Sequence, residues 1–418
     1  MDDMSPAMRL CAELGALTAA LDAEFAAQTP LGVALLTWAR ELCRMAADEP
    51  ESPAWQHGGI KVVVALLDAG VAAAESAAMT IKRLSNGDDT NKDAIREAGG
   101  IAPLVARIGA GADSVTARYA ARALRNLAVN ATNEDAIREA GGIAPLVALL
   151  GAGAGSKTAR YAARALMSLS DNDINKDAIR DAGGIAPLVA LLGAGADSEA
   201  ARYAAGALQN LSVNASNKDA IRDAGGIAPL VALLGAGADS VAARYAACAL
   251  MNLSVNATNK DAIRDAGGIA PLVALLGAGA DSEAAVNAAG ALINLADNAT
   301  NENAILEGVA SCAGVSTAFH TRLHLELERI STSRLIAAEA GDNVPALERA
   351  IRHGNALSLP ADTLRRASER LAEMNGEAAL QARRESLGLG ALPLPNEFVC
   401  PITCKKMKGP LACRLHAD

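Results

Sequence analysis

Across residues 217–259 the polar and apolar positions fall into three blocks. A polar block, NKDAIRDAGG, is followed by an apolar block, IAPLVALL, closed by GAGA. A mixed block, DSVAARYAACALMNLSVNATN, completes the stretch. Each block predicts one helix. In the first, Asn217 is the expected cap, Asp219–Asp223 fill the helix, and Gly225-Gly226 end it, because glycine accepts the left-handed turn at a helix C-terminus. The second opens near Pro229, which a first turn tolerates, and runs Leu230–Leu234 until Gly235 and Gly237 break it. The third opens at an Asp239/Ser240 cap and runs Val241–Ser254. The phrase recurs: Pro103, Pro145, Pro187, Pro229 and Pro271 are each 42 residues apart. A fixed period of about 40–47 residues without strand signals predicts an α-helical solenoid.

Three helices per unit, with GGI-x-PLV-x-LL in the second and A-x-x-AL-x-NLS in the third, resemble the armadillo repeat over about residues 58–306. The resemblance implies an all-α, right-handed armadillo-type α-solenoid with helical caps, and a protein-binding scaffold rather than an enzyme. It marks residues 49–316 as the array. A degenerate unit opens it, with Gly58-Gly59-Ile60 and Val62 where later units have proline, and one residue is inserted near Asn86. Five clean units led by Asn91, Asn133, Asn175, Asn217 and Asn259 follow, and the pattern fades after Asn301–Ile305.

Residues 1–48 read as an N-terminal helical cap, with Leu10, Leu14, Leu17 and Leu21 at helical spacing and a second apolar stretch, Leu31–Cys43. A cap shields the apolar end layer of a solenoid. Residues 317–390 read as a helical linker or C-terminal cap, with helices expected over Leu323–Ile336, Val344–Arg352 and Ala361–Met374. His320 and His324 lie one turn apart, but no further ligand completes a metal set, so a solvated helix face is expected.

Residues 391–418 differ again. Pro395, Glu397-Phe398, Cys400-Pro401-Ile402-Thr403, Met407 and Gly409-Pro410 resemble the opening of a U-box, a zinc-free domain of ubiquitin ligases. That resemblance implies a ubiquitin-conjugating enzyme as partner, with Ile402 at the contact. The 25 residues from Leu394 to Asp418 fall below the ~40 that a small domain usually needs to fold unaided. They are therefore not expected to support ubiquitin transfer by themselves; a completed U-box would make the chain a ligase whose array recruits substrates. A rival reading takes Cys400, Cys404, Cys413 and His416 as a zinc set, but the C-x3-C-x8-C-x2-H spacing is unlike the common patterns, and no metal is expected.

Composition narrows the partners. Hydrophobic residues make up 51% and aromatic ones 2%, so thin layers of Ala, Leu, Val and Ile must form the core. A net charge of −9 argues against nucleic acid or an anionic membrane as the main partner. No run of 18 apolar residues predicts a membrane span. Asp2 and Asp3 stand where a leader would be basic. Seven scattered cysteines suit a reducing compartment, the cytoplasm with the nucleus as alternative. The N-x-S/T triplets at Asn130, Asn214, Asn256 and Asn298 then read as polar ends of repeats, and the Arg/Asp pairs of AIRDAGG as solvated helix ends. No catalytic motif and no cofactor site is visible. Gly151, Gly153 and Gly155 follow a Leu-rich helix rather than a strand, so they form a turn and not a dinucleotide loop.

The third helix carries the candidate binding face. Tyr203, Gly206 and Asn210 are three and four residues apart and share one side. Their equivalents are Tyr119/Arg122/Asn126, Tyr161/Arg164/Ser168, Tyr245/Cys248/Asn252 and Asn287/Gly290/Asn294. By the armadillo resemblance, the Asn column lines a concave groove and binds the backbone of an extended protein or peptide ligand. Capping of helix-end carbonyls is the alternative use of those amides. Arg122 and Arg164 should favour acidic groups, while Gly206, Cys248 and Gly290 should leave room for bulkier side chains. The importin alpha family carries Trp at these five positions, so lysine-rich nuclear localisation peptides are not expected ligands.

Overall fold

The structure is a computed structural model that describes residues 37–386, apart from 39, 43, 47, 49, 51–54, 69–70, 88, 280, 312–316 and 342. The expectations for residues 1–36 and 387–418, Ile402 and the cysteine set included, lie outside the described residues, as do the side chains of His320 and His324. Among the described residues every regular element is helical. Packing divides the chain into two compact units, Met1–Ala291 and Leu292–Asp418.

In the first unit the 42-residue phrase folds as three helices each time. One set is Asp173–Asp181, Ile185–Leu192 and Glu199–Leu211; the next is Ala215–Asp223, Ile227–Leu234 and Val241–Leu253. The third helices pack side by side along the array. Ala200, Ala201, Ala204, Ala207, Leu208 and Leu211 are buried in one of them, and Leu208 and Leu250 are fully enclosed. Small side chains on facing helices allow the close layers that the composition demands. Ser198 and Ser240 cap these helices by accepting the N–H groups of Ala201 and Ala243.

The glycine pair has two jobs. Gly225 has φ +73°, the left-handed turn expected of it. Gly226 has an ordinary helical φ but no free space. A Cβ there would lie 2.9 Å from Ile221 Cγ2 and 3.0 Å from Val189 Cγ2 of the preceding repeat. The second glycine therefore sets how closely repeats approach.

Two expectations change. Asn217 is not a cap: the first helix starts at Ala215, and Asn214 occupies the cap position. The capping bonds are explicit at Asn130, whose Oδ1 accepts from Thr132 (2.9 Å), and at Asn172, which accepts from Ile174 (2.9 Å). Two asparagines three residues apart made the start ambiguous. Asn217 lies fully buried inside the helix, and its Oδ1 accepts from Arg180 Nη1 of the preceding repeat at 3.3 Å. Arg96 to Asn133 (3.1 Å) and Arg222 to Asn259 (3.3 Å) repeat the contact. These arginines are thus ties between repeats, although each also pairs with a carboxylate three residues earlier.

In the second unit, Ala299–Ser311, Thr317–Ala340, Val344–Ala356 and Ala361–Ser386 are helices. Glu302 is fully buried and is held by Ser331 and Arg334. Arg334 also donates to the Ala296 carbonyl at 2.5 Å. A buried carboxylate requires such compensation. No helix among the described residues is long and apolar enough to cross a membrane.

Two outcomes follow from this packing. Leu208→Ala or Leu250→Ala should each cost about 2–5 kcal/mol in denaturant unfolding, because neighbouring layers cannot close on the void; unchanged midpoints would contradict the stacking. Glu134 supplies the second. It is buried where other repeats carry Lys92, Lys176, Lys218 or Lys260. Burial, then the charges of Asp171 and Asp135, push its carboxyl up to about 7. The folded state therefore holds its proton more tightly than the unfolded state, and stability from this group falls as pH rises between about 4.5 and 7. Glu134→Gln should remove that slope and stabilise the protein at pH 8 by about 1 kcal/mol once solvent screening is allowed for. Urea midpoints at pH 5 and pH 8 check it; an equal gain at both would contradict it.

Candidate functional site

The outward faces of the third helices bring the expected residues into rows. Tyr119, Tyr161, Tyr203 and Tyr245 are half-buried, as are Arg122, Arg164, Asn210 and Asn252, whereas Asn126 is only 7% exposed. Asn294 falls in the second compact unit and is half-buried there.

The asparagine amides are already engaged on one side. Asn210 Nδ2 donates to the Met167 carbonyl (3.1 Å), Ser170 Oγ (3.2 Å) and Asp171 Oδ1 (2.7 Å) of the preceding repeat. Asn252 Nδ2 donates to the Gln209 carbonyl (3.4 Å) and Ser212 Oγ (3.0 Å). Asn126 Nδ2 reaches the Lys82 carbonyl (3.0 Å) and Ser85 Oγ (3.1 Å). Each amide thus ties down the last turn of the neighbouring helix. An amide also accepts through its oxygen, and in these three residues no partner is bound there. One repeat departs: Ser168 replaces Asn, and Ala128 replaces the serine opposite, so donor and acceptor are lost together.

Two arginines lie against each of the Tyr161 and Tyr203 rings. Arg160 and Arg122 lie 5.0 and 5.5 Å from the Tyr161 ring centre. Arg202 and Arg164 lie 4.9 and 5.2 Å from that of Tyr203. Arg164 Nη1 also donates to the Tyr203 hydroxyl at 3.2 Å. Such stacking contributes about 0.5–1 kcal/mol at exposed sites. Burial opposes ionisation of Tyr161, but the Arg160 hydrogen bond and the charges of Arg122, Arg160 and Arg125 outweigh it and hold the phenol below its ordinary value. Arg125, Arg160 and Glu199 join Arg122, Tyr161, Arg164 and Tyr203 around a hollow of about 180 Å³. Arg125 escaped the sequence reading. Its signal was the contrast with Met167, Gln209 and Met251 at the same place in later repeats.

The space over the glycines of this face is taken by side chains of neighbouring repeats. A Cβ on Gly206 would lie 2.5 Å from Met167 Sδ and 3.2 Å from Tyr245 Cε2, and one on Gly290 would lie 2.6 Å from Met251 Sδ. A methionine from the preceding repeat fills each gap, which the helix-by-helix reading could not see. Cys248 is half-buried, and burial, then the Glu283 charge, raise its thiol above the ordinary value. No group of three or more His, Cys, Asp or Glu among the described residues is placed to hold a metal ion.

The family model of the armadillo/beta-catenin-like repeat matches residues 88–129, 172–213, 214–255 and 256–297. No curated protein matches the chain. Among solved structures, an engineered protein from a structural genomics consortium is 30% identical, with 92% of this chain and 93% of that chain covered and a TM-score of 0.64. A computationally designed armadillo repeat protein for modular peptide recognition is 26% identical, covering 56% of this chain and 99% of that one, with a TM-score of 0.50. A designed armadillo repeat protein in complex with the peptide (KR)4 is 27% identical, with 56% and 99% covered and a TM-score of 0.50. Residues 130–171, outside the family-model matches, carry Glu134, Arg164 and Ser168.

The amide ties predict a contrast between repeats. Asn210→Ala should destabilise the protein by about 1–2 kcal/mol, since it strips a donor from three acceptors. Ser168→Ala, at the place where no such tie exists, should stay within about 0.5 kcal/mol of the parent. Equal unfolding midpoints for the two variants would contradict the assigned bonds.

Proposed function

The chain belongs to the armadillo/beta-catenin-like repeat family, and from that premise we propose that it is a scaffold binding a protein segment in extended conformation along its third-helix face. The observation that carries this is the half-used amide row. In Asn210 and Asn252 the nitrogen is fixed by the preceding repeat, which turns the oxygen into a positioned acceptor. A ladder of such acceptors takes backbone N–H groups without reading side chains. Helices 8–10 Å apart would each face about two or three residues of a peptide that advances at most ~3.3–3.6 Å per residue. The tyrosines offer flat walls with a polar tip. Asn126, being buried, serves chiefly as a tie, and Asn294 extends the same pattern in sequence. Side-chain selectivity comes from what differs between repeats, first of all Arg122 and Arg164.

A link to ubiquitination is the finer part of the proposal. It rests on the U-box-like phrase around Cys400–Thr403, with Ile402 as the contact to a conjugating enzyme and the array as the substrate-recruiting part. The peptide reading does not depend on it.

The reading is tested from the ligand side, where the fold is untouched. Peptides selected on the full chain from a random library are resynthesised with single N-methyl groups. Methylation at residues facing Asn210 or Asn252 should weaken binding about fivefold to tenfold, the worth of one hydrogen bond of about 1 kcal/mol. Methylation at alternate residues should have little effect. A flat response along the peptide would show that the amides serve only as ties between repeats.

A further inference from the structure

We propose that the hollow between helices Val115–Leu127, Lys157–Leu169 and Glu199–Leu211 is a phosphate-monoester site, taking a phosphorylated side chain of the extended segment; this rests on the groove reading above. Four arginines and one carboxylate line it. The carboxylate, Glu199, is already committed to Arg160 and to Arg202, the latter at 3.2 Å. Arg122 and Arg125 make no hydrogen bond or ion pair, and Arg164 bonds only the Tyr203 hydroxyl. Three guanidinium groups therefore face one hollow without a carboxylate partner of their own, in a chain whose net charge is −9.

The donors are poorly served without a ligand. The Nε atoms of Arg122 and Arg125 are buried and bond nothing, a condition that costs free energy until a partner arrives. Burial, then the charges of Arg164 and Arg122, pull the Arg125 guanidinium below its ordinary value, so the cluster is electrostatically frustrated. Stacking on Tyr161 and Tyr203 engages the flat faces of Arg122 and Arg164. With Nε buried in Arg122 and Arg125, the in-plane Nη N–H groups are the donors left to recognise an oxyanion. A carboxylate brings one charge. A phosphate monoester brings about −1.5 to −2 at neutral pH and three strong acceptor oxygens, the better match to three forks.

The later steps of the array, among the described residues, do not repeat the site. Later repeats carry Gly206, Cys248 and Gly290 in place of Arg122 and Arg164, and Met167, Gln209 and Met251 in place of Arg125. It is also the step where Ser168 and Ala128 replace the amide tie. The ligand would therefore be held through its backbone in the later repeats and through one modified side chain here.

The test uses the full chain and the blocked tripeptide acetyl-Gly-phosphoserine-Gly-amide, followed by its phosphorus NMR signal. Binding to the parent should weaken about tenfold in Arg125→Met and again in Arg164→Gln, as expected for charge-assisted bonds. Arg125→Met installs the residue that Met167 and Met251 show the helices accept, so loss of binding there is not loss of fold. Arg365→Gln, which removes an exposed arginine paired with Glu369 in the second compact unit, should bind as the parent does. The glutamate tripeptide should bind at least about tenfold more weakly. No response from the parent, equal response from all variants, or equal affinity for the glutamate tripeptide would overturn the site. Preferential capture of a random single-stranded oligonucleotide would overturn its assignment to a peptide. Phosphotripeptide binding that survives a flat N-methylation profile would uphold the anion site and remove the groove; an intact profile without it would do the reverse.

Discussion

Each third helix in the first compact unit buries its apolar side against the second helix of its own repeat and the third helices of the repeats on either side. That packing dictates the residues around it. The facing positions are alanines and leucines with no exposed surface, such as Ala204, Ala207 and Leu208. Gly226 has no space for a methyl group beside Val189 of the repeat before it. Polar ties then lock the register: Asn210 to the last turn of the preceding third helix, Arg180 to the buried Asn217 of the following first helix. Stability in such an array comes from nearest-neighbour interfaces. The core is fully occupied by these contacts, and the opposite face of each third helix is left for other work.

Much of this was legible in the residue pattern. The 42-residue period, the glycine breaks and the serine caps sufficed to place three helices per repeat, and the thin aliphatic layers that the composition demanded enclose Leu208 and Leu250. What escaped depends on contacts between repeats. Nothing in the order of residues says that Met167 fills the gap over Gly206, so that gap looked open. Asn214 and Asn217 are both good caps by type, and only the packing of the first helix decides that one is a cap and the other a buried acceptor. Arg125 gains meaning only when its neighbours from two other helices are in place.

The same scaffold explains how function can vary without cost to the fold. The tying residues recur, while the positions beside the tyrosines change from arginine to glycine or cysteine. A basic island thereby sits in an acidic chain, at the step where Ser168 and Ala128 replace the amide tie. Beyond its stacking on the tyrosines, the guanidinium cluster works against folding, since like charges repel and buried donors go unmet. Its presence is best understood through a ligand.

The central claim is that an extended segment lies along the third helices, one repeat after another. Photo-crosslinking tests it most directly. A photoreactive residue is placed at each position in turn of one selected peptide bound to the full chain, and the attachment sites are mapped by mass spectrometry. The account predicts that the crosslinks step through the faces around Tyr161, Tyr203 and Tyr245 in a single direction as the label moves along the peptide. Attachment confined to one repeat, or to the second helices such as Ile185–Leu192 and Ile227–Leu234, would contradict it.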